Sequence, residues 1–162
     1  MIVVFDIDGT LADNKHRAHL IEGPKKDWDK FYDPQLVAKD PLIEGTKEIL
    51  FFMQELKYQI IFLTGRPESL RMTTEAWLKE HLNITVSEET LLMRANGNFT
   101  KARDYKREQL TDLRSRNAMH NSCFIFVDDD WRNRDMYVEF GLFFHAPEFF
   151  RHANALEPKD LE

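Results

Sequence analysis

Cysteine is nearly absent from this chain. Cys123 is the only one among 162 residues, so no disulfide can form within the chain, and a reducing compartment suits it. Glycine and proline are scarce at six each, which excludes collagen-like repeats and low-complexity segments. No stretch approaches the ~18 consecutive apolar residues of a membrane span. The opening Met-Ile-Val-Val-Phe-Asp lacks the basic stretch and long apolar run of a secretory signal. Basic charge is in deficit too: 22 Lys plus Arg face 28 Asp plus Glu, for a net charge of −6. Bulk electrostatics therefore do not draw the chain to nucleic acid or anionic lipid, and any polyanion must be held by a local basic site. The expectation is a cytoplasmic protein with no membrane attachment.

What is present suits a packed core: 43% of residues are hydrophobic and 12% aromatic, and the length predicts one domain over residues 1–162. Three uninterrupted apolar runs, 2–5, 60–63 and 124–127, read as strands buried on both faces, and 90–93 and 142–145 are weaker candidates. Helical spacing covers 46–56, where Ile49, Leu50, Met53 and Leu56 form a stripe, and 69–82, with Leu70, Thr73, Trp77 and Leu78. Residues 101–113 and 132–140 are two further helices. Strands alternating with helices predict an α/β fold with a parallel sheet and right-handed crossovers. Ligands of such sheets bind beyond the carboxyl ends of the strands, where Asp6, Thr64 and Asp128 fall. Residues 13–41 break the pattern: they are polar and carry Gly23, Pro24 and Pro34, so they read as a short excursion over the site.

Asp6-Ile7-Asp8-Gly9-Thr10 ends the first strand, and paired carboxylates there can share a hard cation or simply form a turn. The second acidic group, Asp128-Asp129-Asp130 after another buried strand, favours the site, because adjacent carboxylates repel unless a cation offsets them. Asp130 also suits the cap of the following helix.

D-x-D-G-T after the first strand, Thr64-Gly65-Arg66 after a second, a lysine near a later helix start and Val127-Asp128-Asp129 after another strand resemble, in order, the motifs of the haloacid dehalogenase-like phosphatases. The match runs over residues 2–145. A closer resemblance is to the 3′-phosphatase domains of bacterial and phage polynucleotide kinases. It is carried by Asp8-Gly-Thr-Leu-Ala-Asp13 with His16-Arg17, Thr64-Gly65-Arg66-Pro67, Trp77-Leu78, Leu92-Met93-Arg94 and Tyr105-Lys106-Arg107-Glu108. The sequence has no G-x-x-x-x-G-K-[ST] phosphate loop, so the expectation is a phosphatase without the kinase half.

The resemblance implies a three-layer Rossmann-like parallel sheet with a minimal cap or none. Asp6 would then be the nucleophile of an aspartyl-phosphate mechanism and Asp8 the acid and base, roles that spacing alone leaves interchangeable. Oxygen ligands and a phosphate substrate call for Mg²⁺, held by Asp6, the backbone carbonyl of Asp8 and Asp128, with Asp129 on metal-bound water. Thr64 and the amide of Gly65 would bind phosphoryl oxygens. Of the basic residues Lys101, Arg103, Lys106 and Arg107, Lys106 occupies the matching position. Arg66, Arg94, His16 and Arg17 are the candidates for substrate contact, and Trp28 and Phe31 either stack a base or anchor the excursion. Phe143, Phe144, Phe149 and Phe150 read as core or packing of the C-terminal tail. The expected substrate is the 3′-phosphate of a nucleic acid end or nucleotide. The alternatives are a small-nucleotide or sugar phosphatase and a phosphorylatable receiver-like module, the latter disfavoured because its phosphoacceptor lies on the third strand.

Overall fold

A computed structural model describes residues 1–43, 45–116 and 123–146. Five strands form one all-parallel sheet: β1 (Ile2–Phe5), β2 (Gln59–Pro67), β3 (Leu91–Arg94), β4 (Phe124–Asp128) and β5 (Gly141–His145), in the order β3-β2-β1-β4-β5. Each apolar run of the sequence is a strand. Strand β1 is buried along its whole length, and its alternation divides the core. Val3 and Phe5 join Leu50, Leu70, Trp77, Leu78 and Leu82, from α4 (Thr46–Glu55), α5 (Arg71–Leu82) and the turn before α5, on one face. Ile2 and Val4 join Tyr105 and Leu110 of α6 (Ala102–Arg116) and Met136 and Tyr137 of α7 (Arg134–Tyr137) on the other. This is the three-layer α/β arrangement that continuous apolar strands demand.

The expected helices form with shifted ends. Helix α4 stops at Glu55, and Leu56 is exposed rather than part of the stripe. The segment read as 132–140 is shorter: a 3₁₀ turn, Trp131–Asn133, leads into the single turn of α7. Asp130 caps that turn, accepting the Arg132 amide at 3.0 Å. Phe143 stacks on Tyr137 with centroids 5.6 Å apart, whereas Phe144 is exposed. Phe149 and Phe150 lie outside the described residues.

The chain leaves β1 toward β2 and β3 on one side and returns to β4 and β5 on the other, so the sheet's switch point opens at the carboxyl ends of β1 and β4. The excursion between β1 and α4 holds three single-turn helices, α1 (Lys15–Ala18), α2 (Trp28–Phe31) and α3 (Pro34–Val37). Its ends are tied together, the Asp13 amide donating to the Pro41 carbonyl at 2.8 Å and Ala12 bridging Leu42. Among the described residues no larger cap covers the sheet.

Candidate active site

Strand ends place the acids. Asp6 and Asp8 follow β1, and Asp128 closes β4 beside it, with Asp129 next in the chain. One carboxylate oxygen from each of Asp6, Asp128 and Asp129 lies within 4.8 Å of the others. Gly9 makes this approach possible: its φ is +86°, and a Cβ there would sit 2.3 Å from Asp129 Oδ2. Thr10 clamps Asp129 from below, its hydroxyl accepting the Asp129 amide at 2.9 Å and donating to Asp129 Oδ1 at 3.2 Å.

Lys106 reaches this group from α6. Its buried ammonium lies 3.1 Å from Asp6 Oδ1 and 2.7 Å from Asp128 Oδ2, and the geometry singles it out among the four neighbouring basic residues. Burial alone would lower its pKa, but Asp128 and Asp6 outweigh that and raise it well above the usual lysine range. Asp128 is saturated with donors: Tyr137 at 2.7 Å and Asn133 at 3.2 Å join Lys106 on Oδ2, and the Asp130 amide takes Oδ1 at 2.7 Å. Asp6 and Asp129 are less compensated. Burial pushes the Asp6 carboxyl well above the usual carboxylate range, with Lys106 opposing and Asp128, Asp129 and Asp8 adding to the rise. Burial and then Asp128 push Asp129 up to about 6.

Three carboxylates and one ammonium, which pairs with two of them, leave two negative charges in a largely buried group when all are ionised. That deficit and the all-oxygen donors fit a hard divalent cation. The side chain of Asp8 does not join the group, so only its backbone carbonyl remains available as the ligand the sequence suggested. Asp129, expected at one remove, contributes a carboxylate directly to the cluster.

Asp8 belongs to a second, neutral network. Its Oδ1 accepts Arg17 Nη2 at 2.5 Å and Arg66 Nη2 at 2.7 Å, and Arg66 Nε lies 3.2 Å from both oxygens. Asp40 mirrors it, accepting Arg17 at 2.6 and 2.9 Å, Arg66 at 2.9 Å and the His16 ring at 2.8 Å. Burial pushes the Asp8 carboxyl up, but Arg66 and Arg17 overcome it and hold it below its ordinary value. Arg17 and Arg66, expected at the substrate, both spend their guanidiniums on these two carboxylates. Both side chains are 0% exposed, because buried carboxylates at positions 8 and 40 need paired, hydrogen-bonding cations. His16 likewise turns to Asp40.

Thr64 is fully buried, its hydroxyl accepting the Arg66 amide at 3.2 Å. The pairing of β2 with β3 slips between Leu63 and Pro67, an irregularity that re-aims the Thr64-Gly65-Arg66 segment. Arg94, at the end of β3, grips that segment by donating to the Gly65 carbonyl from Nε at 3.0 Å and Nη2 at 2.5 Å. Sequence reasoning missed Asp40, Asn133 and Tyr137, and it named Thr10 only as the last residue of D-x-D-G-T, without its contact to Asp129. Asp40 carried one faint signal, an acid directly before Pro41 at the excursion's close; Asn133 and Tyr137 look like ordinary turn and core residues.

Residues 1–143 match the family described as the polynucleotide kinase PNKP phosphatase domain. No match was found among curated proteins. Among solved structures, the fold resembles a chain of the Pnkp1/Rnl/Hen1 RNA repair complex, with 24% identity over 88% of this chain and a TM-score of 0.66. This chain spans 41% of that one. The class C acid phosphatase from Bacillus anthracis is 19% identical with a TM-score of 0.57, covering 90% of this chain and 66% of its own. The D,D-heptose 1,7-bisphosphate phosphatase from B. bronchiseptica, solved with magnesium and phosphate, is 9% identical with a TM-score of 0.51, over 87% of this chain and 76% of its own. Acids at the ends of β1 and β4, a lysine between them and a family match over nearly the whole chain converge: this protein belongs to the PNKP phosphatase-domain family and is a phosphatase of the haloacid dehalogenase superfamily.

Proposed function

We propose that the chain is a Mg²⁺-dependent 3′-phosphatase of nucleic acid ends, working in the cytoplasm as one domain over residues 1–162. The observation that carries the chemistry is Asp6, set at the end of β1 with Lys106 on Oδ1 and two further acids within metal-sharing distance. The family match and the small excursion, in place of a large cap, support a polymer end as substrate. When bound by Asp6, Asp128 and Asp129, Mg²⁺ supplies charge neutralisation for the phosphoryl oxygens.

A carboxylate oxygen of Asp6 attacks phosphorus as the bond from phosphorus to O3′ breaks, and the leaving oxygen takes a proton from Asp8. Water then attacks the aspartyl-phosphate, giving its proton to Asp8, and the bond from phosphorus to Asp6 breaks. Oδ2 is the freer Asp8 oxygen for the proton, since Oδ1 accepts three guanidinium contacts and Oδ2 only the 3.2 Å one, and the acid step requires Asp8 to take up a proton against the pull of Arg66 and Arg17. Thr64, Gly65 and Lys106 orient and neutralise the phosphoryl group.

A panel of 3′- and 5′-phosphorylated DNA and RNA oligonucleotides, mononucleotides and sugar phosphates, assayed with Mg²⁺, tests the reading. The 3′-phosphorylated oligonucleotides should give the highest kcat/KM, and Asp6→Asn should fold but lose at least ~10³-fold in phosphate release, about 4 kcal/mol of barrier. Faster turnover of mononucleotides or sugar phosphates would replace this reading with a small-molecule phosphatase.

A further inference from the structure

The excursion presents an aromatic surface that the chemistry described so far does not use. Trp28 is 44% exposed, yet it is not loose: its ring stacks on Tyr32 with centroids 5.8 Å apart and planes 20° apart, and meets Phe31 edge-on at 5.8 Å. Phe31, the other base-stacking candidate, is buried with the Arg17 guanidinium over its face at 4.3 Å. Its role is internal.

Tyr32 connects the indole to the phosphate-handling segment. The phenol hydroxyl donates to the Gly65 carbonyl at 3.3 Å and accepts from Arg94 Nη2 at 3.3 Å. Arg94 in turn donates to Gly65 and, from Nη1, to the Thr100 carbonyl at 3.2 Å. Only one ring stack, one phenol and one hydrogen bond therefore separate Trp28 from the residue after Thr64. Lys26 Nζ lies 5.6 Å from the indole centroid, and the carboxylates of Asp27 and Asp33 turn back onto the amides of Lys30 and Gln35. In a chain of net charge −6, this edge combines a fixed, half-exposed indole with a lysine and an arginine. That pairing of π-face and cation matches a single strand of nucleic acid, whose bases stack and whose phosphates need counter-charge.

We propose that Trp28, backed by Tyr32 and coupled through Arg94 to Gly65, is a stacking subsite for a base on the 5′ side of the scissile 3′-phosphate, with Lys26 beside it for the backbone phosphate. The proposal rests on the 3′-end reading above and narrows it to single-stranded ends. Double-stranded ends hold their bases in the stack and leave the platform empty.

The test measures KM for wild type, Trp28→Ala and Trp28→Phe with p-nitrophenyl phosphate and with a single-stranded 3′-phosphorylated decanucleotide. A second set of decanucleotides carries one abasic residue at each of the last three positions. Trp28→Ala should raise the oligonucleotide KM about 10-fold more than that of p-nitrophenyl phosphate, and Trp28→Phe should restore most of the difference. One abasic position should weaken wild type by a similar factor and Trp28→Ala no further, the non-additivity of a shared contact. Equal changes on both substrates, or abasic losses that multiply with the substitution, would overturn the subsite while leaving the 3′-phosphatase reading intact. Wild-type turnover of p-nitrophenyl phosphate with none of the decanucleotide would overturn both.

Discussion

At the scale of single residues, the two ionic networks differ in what they ask of the solvent. The Asp8, Asp40, Arg17 and Arg66 network balances its charges internally, and Asp40 is its least replaceable member because both guanidiniums lean on it in full burial. Asp40→Ala would leave two buried cations sharing Asp8, so it should cost about 3–5 kcal/mol in urea unfolding, with Asp40→Asn less severe. A loss below ~1 kcal/mol would mean that water replaces the carboxylate. The Asp6, Asp128 and Asp129 network is unbalanced, and its pH dependence has the opposite sign from that of a salt-bridged acid. Asp129, raised to about 6 by burial and by Asp128, holds its proton more tightly folded than unfolded. Its destabilising effect is therefore absent below pH ~3.8 and complete above pH ~6. In excess chelator, lowering the pH from 7.5 to 5 should raise the Tm of wild type more than that of Asp129→Asn, and Mg²⁺ at pH 7.5 should recover part of the difference. Parallel Tm profiles of the two proteins would remove Asp129 from the unbalanced group.

Elements matter here chiefly through their ends. Strands β1 and β4 are ordinary buried strands until their last residues, and the loop after β1 must then pass close to Asp129. Gly9 meets that need with a positive φ and no side chain. Gly9→Ala adds a Cβ in a left-handed conformation against a carboxylate; it should destabilise by about 1–2 kcal/mol and raise the Mg²⁺ concentration for half-maximal rate several-fold. An unchanged Mg²⁺ requirement would show that Asp129 can move aside without consequence. Strand β2 illustrates how far a pattern can be followed. Its apolar core, 60–63, was legible, but the continuation through Pro67 was not, because Thr64-Gly65-Arg66 is polar and its pairing slips.

At the scale of the whole molecule, an acidic protein that binds a polyanion must do so through few contacts. The KM for a 3′-phosphorylated single strand should rise with salt with a log–log slope near −0.7 in binding per phosphate contact, and Arg94→Ala should reduce that slope by at most about one contact. Insensitivity of oligonucleotide hydrolysis to salt would place the recognition outside electrostatics altogether. Arg94→Ala also removes the grip on Gly65, so its effect on a small phosphomonoester separates positioning of the phosphate segment from contact with the strand.

By itself the sequence determined the strands and the acids at their ends, because apolar runs and the residues directly after them report local structure, whereas Lys106 was legible only through the family resemblance. The family motifs lie on those strand ends, within a few residues of their elements, and a parallel sheet brings all strand ends of one sense to the same edge. Only the tertiary structure decided the partners. Arg17 meets Asp8 nine residues away and Asp40 at 23, and Arg66 meets Asp8 at 58 and Asp40 at 26. Buried charges must be paired, but no periodicity states with which residue. The same holds for the aromatics of the excursion: three residues apart on one helical turn, Phe31 lies beneath a guanidinium and Trp28 stands half in solvent. Which ring is buried depends on where the Arg17 guanidinium settles over the turn, and that guanidinium is fixed by Asp40, 23 residues further along the chain.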